Sequence, residues 1–226
     1  MKAYKIASSD MSHLPLLRRV AQYNKPIMLS TGASTLEEIR EAVQTIREYH
    51  DDIILLHCTL CYPTKDQDAN LAIIQTLKKE FPDLPIGLSD HTLSEETSKY
   101  AVSAGAVVLE KHFTVDNSLG DSADHWLSMN PETMKEYVYG AHLAHQLLGS
   151  SKKVVFPCEK ETRELDKRSI VSVRLIEKGT RITQDMLTYK RPGTGIWPKF
   201  INQVIGSVAL EDIPEDTTIQ WTMLKT

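Results

Sequence analysis

Two histidines close two successive apolar runs: His91 in GLSDHT (87–92) and His112 in LEKHFT (109–114). A single strand-end histidine is commonly a hydrogen-bonded core residue. Paired on neighbouring strands, two imidazoles can bind one divalent metal and leave coordination positions open for a substrate. Alternate residues of a strand share a face. Ser89 therefore goes with His91 and Glu110 with His112, while Asp90 and Lys111 point the opposite way.

In parallel α/β sheets, chemistry collects at the C-terminal ends of the strands. That rule adds further side chains to the same rim. Ser30, in LSTGAS, and Ser89 each precede a predicted helix, where hydroxyls and backbone N–H groups suit a phosphate or carboxylate. Taken singly, each serine also reads as a cap or turn residue. Lys5, in YKIAS, brings positive charge if its alternation faces inward, and Ser8 ends the same run. Asp124, in GDSADHW, is placed either to orient a water or substrate hydroxyl or simply to be a solvated loop carboxylate. Asp121 and His125 are weaker candidates, and His142 and His145 read as helix-surface or packing residues. Tyr62 and Trp126 suit either a sugar-contacting rim or internal packing. Cys58 and Cys61 form a C-x-x-C at a strand end rather than a helix start, so packing is preferred to redox or zinc use.

The elements that would position these residues follow a rhythm from residue 3 to about 147. Apolar runs at 3–8, 26–32, 52–58, 84–90 and 106–112 fit buried parallel strands. Amphipathic stretches lie between them at 14–23, 35–50, 68–81 and 94–105, with a last one at 130–149. In 35–50, Leu36, Ile39, Ala42, Val43 and Ile46 make one helical face. Five strand–helix units imply a parallel sheet with right-handed crossovers. A closed (β/α)8 barrel takes eight units and typically ~250 residues. The pattern therefore reads as an open doubly wound sheet or as a partial TIM barrel without its first three units. Residues 150–165 read as a charged linker with one short extended piece. From 166 to 226, short alternating runs at 169–176, 180–183, 187–192, 206–210 and 217–221 indicate a small, mostly β domain.

Bulk properties narrow the classes. The chain has 226 residues and a net charge of -4, which gives no footprint for nucleic acid or an anionic membrane. No apolar run approaches the ~18 residues of a membrane span, and no signal-peptide core is seen at the start. Three cysteines fit a reducing, cytoplasmic setting better than a disulfide framework.

Taken together, KIASSD, PIMLSTGAS, LLHCTLCYPT, IGLSDHT, VVLEKHFT, SADHWLSMNPE and KRPGTGI resemble the sialic acid synthase family, from Tyr4 to about Trp221. The resemblance implies a (β/α)8 barrel over 1–149, here without its first three units, and an antifreeze-like SAF domain over 166–226. It implies condensation of phosphoenolpyruvate with an N-acetylmannosamine-type amino sugar to a nine-carbon 3-deoxy-2-keto acid. It implies a divalent metal, manganese before magnesium or cobalt, held by His91 and His112. Lys5, Ser8, Ser30, Tyr62 and Ser89 match positions around phosphoenolpyruvate, and Asp124 matches an acidic residue near the metal. Arg191 matches an arginine that reaches into the barrel of a partner, which implies a homodimer with swapped SAF domains. Leu60 departs from the asparagine usual in bacterial sialate synthases, and Cys61 and Ser9 also replace commoner residues. Synthesis of another nonulosonate or of a spore-coat sugar is the alternative within enzymes; a non-catalytic sugar- or anion-binding fragment is the alternative outside them. Five strands leave a barrel unclosed, so the chain alone is expected to be weakly active or inactive.

Overall fold

The computed structural model describes residues 2–120, 122 and 124–225. The chain divides into two compact units, Met1–Ser151 and Lys152–Thr226. In the first, β1 (Tyr4–Ile6), β2 (Ile27–Ser30), β3 (Ile53–Cys58), β4 (Ile86–Asp90) and β5 (Val108–Lys111) form one sheet in sequence order, every pair parallel. Helices α1 (Leu14–Ala21), α2 (Leu36–Arg47), α3 (Ile73–Glu80) and α4 (Thr97–Ala104) are the crossovers, and α5 (Pro131–Leu148) follows β5. Every residue of β4 is buried, which is why these strands read as continuous apolar runs rather than alternating ones.

The sheet is curled. Four inter-strand spacings would put the outer strands of a flat sheet roughly 19 Å apart. Yet Lys5 Nζ of β1 lies 3.4 Å from Glu110 Oε2 of β5. Only a half-barrel brings side chains from the first and last strands together on one concave face. This decides between the two readings of the strand–helix rhythm in favour of the partial (β/α)8 barrel.

Local signals explain the element limits. Thr35 and Glu38 make a complete capping box at the start of α2, and Asn130 with Pro131 opens α5. Ile39, Ala42, Val43 and Ile46 of α2 are buried against Leu17, Ile27, Leu29, Leu55 and their neighbours in one core. Gly105, at φ 105, terminates α4 in the left-handed region. The stretch 68–81 is shorter in helix than its pattern suggests. A 3-10 turn at Asp66–Asp68 and a left-handed Asn70, at φ 45, delay the start of α3 to Ile73. No helix of the described residues is long and apolar enough to cross a membrane.

The second unit differs from its sequence reading in two ways. Within the predicted linker, Lys160–Asp166 is a helix (α6) rather than an extended piece. Its apolar periodicity is weak. Order comes instead from the Glu159 carboxylate, which accepts from the Phe156 N–H at 2.8 Å, and from the Glu164 carbonyl, which accepts from the Gly193 N–H. The strands are also shorter than the alternating runs. β6 (Ser169–Ser172) pairs antiparallel with β7 (Leu187–Lys190), the short helix α7 (Ile201–Val204) follows, and β8 (Val208–Ala209) pairs with β9 (Leu224–Lys225). The runs at 180–183 and 217–221 make only isolated bridges, Arg181 to Val208 and Val171 to Thr218, and β9 lies beyond the last predicted run. Positive φ at Gly179, Gly206 and Asp216 turns the chain away after one or two paired residues. Ile170, Ile176, Ile182, Ile196, Ile213 and Ile219 form the small core between these segments.

Candidate active site

The concave C-terminal edge of the first unit gathers most of the residues expected there. Cross-strand register pairs Ser89 with Glu110 and Asp90 with Lys111, which sets His91 and His112 level just beyond the last rung. Their ring centroids are 5.2 Å apart. Tyr62, half exposed on the loop after β3, places its ring 4.2 Å from His91 and 5.8 Å from His112. Asp124 Oδ2 lies 3.7 Å from His112 Nδ1. Lys5 reaches the same concavity and meets Glu110.

The protonation chemistry of His91 suits a ligand. Its Nδ1 lies 3.3 Å from the Thr59 carbonyl, and a carbonyl can only accept, so Nδ1 carries the proton and Nε2 keeps its lone pair. Burial lowers the His91 pKa; the Thr59 carbonyl opposes the shift, while His112 adds to it. Cys58, a buried free thiol at the end of β3, packs 3.7 Å from the same Nδ1, so the first cysteine of the C-x-x-C serves strand-end packing. Among the described residues, no three or more His, Cys, Asp and Glu side chains converge as a metal cage. The two imidazoles fit a cation that draws its other ligands from water or substrate, with Asp124 set beside the His112 ring.

The serines have distinct environments. Ser30 is 1% exposed, and its Oγ is buried without a hydrogen-bond partner, a cost that a ligand oxygen would relieve. Ser89 is also buried, on β4, with β3 between it and the strand of Ser30. Ser8 Oγ is already engaged, accepting from the Gly32 N–H at 2.9 Å. A Cβ at Gly32 would come within 2.8 Å of that oxygen, so glycine is required for this approach. Ser8 therefore shapes the turn after β2.

Glu110 is the functional candidate that the sequence reading noted only as a face-mate of His112. Its Oε2 is buried without a hydrogen bond, although Lys5 is within ion-pair range. The signal was its place two residues before His112. What alternation cannot give is the curl that brings Lys5 to it. Of the weaker candidates, His125 is engaged with Thr114 Oγ1 at 2.7 Å, Trp126 is exposed, and Asp121 lies outside the described residues. Arg191 belongs to the second unit, where its guanidinium is exposed and paired with Asp166 at 3.2 Å.

A buried neighbour of the site makes one pH prediction. His57, 3% exposed, sits with Nε2 2.8 Å from the Ala69 carbonyl, and burial outweighs that contact to lower its pKa. The unfolded chain then binds a proton that the folded chain refuses. Its contribution to stability is present above the ordinary 6.5 and is lost as pH falls below it. Thermal melts between pH 7.5 and 5.5 are expected to show falling stability, with a shallower decline in His57→Asn; equal slopes would remove His57 as a cause.

Parallel strands alternating with helices, curled until the outermost side chains touch, define the first unit as part of a (β/α)8 barrel, the class of enzyme that works at its strand C-termini. Residues 1–153 match the model described as NeuB family, and 167–225 match that of the SAF domain. The chain belongs to the NeuB family. It is 41% identical to the N,N'-diacetyllegionaminic acid synthase of Legionella pneumophila over 98% of its own length and 63% of that protein's. It is 35% identical to the human N-acetylneuraminate-9-phosphate synthase over 96% of its length and 60% of that enzyme's. The crystal structure of the Bacillus subtilis spore coat polysaccharide biosynthesis protein SpsE matches 99% of the chain at 35% identity and a TM-score of 0.61, the match covering 68% of that chain. The chain thus spans less than two thirds of the curated relatives it matches.

Proposed function

We propose that this chain supplies the metal- and phosphoenolpyruvate-binding part of a synthase that condenses phosphoenolpyruvate with an N-acetylmannosamine-type amino sugar. The products are a nine-carbon 3-deoxy-2-keto acid and phosphate. The observation that carries this reading is the meeting of His91 and His112 at one rim, under Tyr62 and beside Lys5 and Glu110. Synthases of legionaminic acid and of N-acetylneuraminate 9-phosphate among the relatives support the reaction class.

His91 and His112 would hold a divalent cation, manganese by preference, which when bound polarises the aldehyde oxygen of the sugar. The chain's own groups do the rest. Lys5 neutralises the phosphate or carboxylate of phosphoenolpyruvate, and the unbonded Ser30 hydroxyl, with Ser89, donates to the same anion. Held in this way, carbon 3 of phosphoenolpyruvate faces the aldehyde carbon and forms the new bond, leaving a cationic carbon 2. Asp124 and the buried oxygen of Glu110 orient the water that adds at carbon 2; one of its protons goes to the former aldehyde oxygen, and collapse of the new hydroxyl to the 2-keto group expels phosphate. Tyr62 closes over the imidazoles and limits solvent. Arg191 contacts the acyl group of the sugar from a partner copy in a homodimer with swapped SAF domains, with Asp166 steadying its guanidinium. Three free thiols suit a cytoplasmic location.

The test is sugar-dependent release of phosphate from phosphoenolpyruvate with Mn2+. It is run across several amino-sugar aldehydes, on the chain alone and on the chain mixed with the first three barrel units of a relative. Weak or no turnover alone and sugar-dependent turnover in the mixture bear the proposal out. No sugar-dependent release in either overturns it.

A further inference from the structure

Asp90 and Lys111 immediately precede His91 and His112 and point to the other side of the sheet, under the helices. There they meet. Lys111 Nζ lies 3.0 Å from Asp90 Oδ2, and the two side chains are 3% and 1% exposed. Register places them directly opposite, so this ion pair is the last rung before the two imidazoles. The rung also grips the backbone beyond His91: Lys111 Nζ donates to the Thr92 carbonyl, and Asp90 Oδ1 accepts from the Thr92 N–H at 2.8 Å. The His91 carbonyl in turn accepts from the Thr64 N–H. Tyr137 of α5 lies against the pair, its ring centroid 5.6 Å from the Lys111 ammonium and its buried hydroxyl facing the Asp90 carboxylate.

Stability alone does not account for such a pair. Well-packed apolar residues of similar size are commonly as stabilising as a buried ion pair or more so, because both charges are stripped of water. Register is a different matter. A one-residue slip between strands turns every side chain to the opposite face. In β4 and β5, Ile86, Leu88, Val108 and Leu109 set no polarity preference between registers, because β4 is buried on both faces; besides the close approach of Gly87 to the Val108 carbonyl, the charged rung is what marks the register. A slip that parts Asp90 from Lys111 leaves two charges unpaired in the interior.

We propose that the Asp90–Lys111 pair is a positioning device that fixes the level and spacing of His91 and His112 for a divalent cation. This rests on the reading of those histidines as ligands. The pair touches neither cation nor substrate; it acts through the backbone it clamps.

The test substitutes both members together, Asp90→Asn with Lys111→Met. Asparagine keeps the oxygen that accepts from Thr92, and the double change leaves no lone buried charge. Melting temperature and Mn2+ affinity by calorimetry are measured on the same preparations, with the visible spectrum of Co2+ as a report on ligand geometry. The expected result is a melting temperature at or above that of the parent, with Mn2+ bound about tenfold more weakly or worse and an altered Co2+ spectrum. Parent-like affinity and spectrum in a stable double variant would overturn the proposal and reduce the pair to a structural tie. If the double variant fails to fold, Asp90→Asn alone, isosteric and with Lys111 still on the Thr92 carbonyl, is judged by the same two readings. His112→Ala separates the two levels of inference. Parent-like Mn2+ binding there, or no binding by the parent, removes the ligand reading and this proposal with it. Lost binding there, beside unchanged binding in the double variant, removes this proposal alone.

Discussion

Alanine at His112 is expected to weaken Mn2+ binding by more than about 100-fold, beyond what changes to the partners of metal ligands usually cost. The fold should survive. His112 stands past the end of β5, its side chain about one third exposed, and it fills no part of the apolar core. His91 is a less clean target, because it is buried and tied to Thr59 and packed on Cys58. No substitute ligand is in place in the alanine variant. Asp124 loses the imidazole it faces, and no cage of three or more such donors exists elsewhere among the described residues. Calorimetric titration checks the affinity and thermal melting checks the fold. Undiminished binding in a folded variant would take His112 out of the site.

The second large effect concerns Gly87 in the middle of β4. A Cβ built there would lie 2.4 Å from the Val108 carbonyl oxygen and 2.6 Å from Leu56 Cδ2. The leucine end can rotate away. The carbonyl belongs to the facing residue of β5, so Gly87→Ala must push two paired strands apart. Overpacking of a core costs typically ~1–3 kcal/mol and occasionally more, and a clash with paired backbone belongs at the upper end. At ~2–4 °C per kcal/mol for a chain of this size, the melting temperature should fall by roughly 6–12 °C. Metal affinity should fall too, since the two strands pushed apart at this rung carry the histidines four positions further on. A melt matching the parent would mean the two strands separate there without cost.

Much of this arrangement was legible in the residues before any coordinates. Buried parallel strands write themselves as apolar runs, and a histidine at the end of two successive runs is visible without knowing the curvature of the sheet. Alternation also separated Asp90 and Lys111 from their neighbours correctly. It could not show that the two charges meet, because that depends on register. Lys5 and Glu110 lie about a hundred residues apart, and their contact comes from tertiary curl, to which a pattern of period two or 3.6 is blind. The approach of Tyr62 depends on the path of a loop. The second unit was read least well, because strands of two residues carry almost no periodic signal and α6 is held by contacts from outside its own segment.

The touch of Lys5 on Glu110 across the mouth of the sheet has a mechanical side. A small anion gripped by Lys5 at one flank and by Ser89 at the other would work like a barrel hoop, drawing the staves inward and fixing the girth. Ligand that binds only the folded chain stabilises it by about 2.7 kcal/mol at one hundred times its dissociation constant. The arc would then be slack without the anion and taut with it.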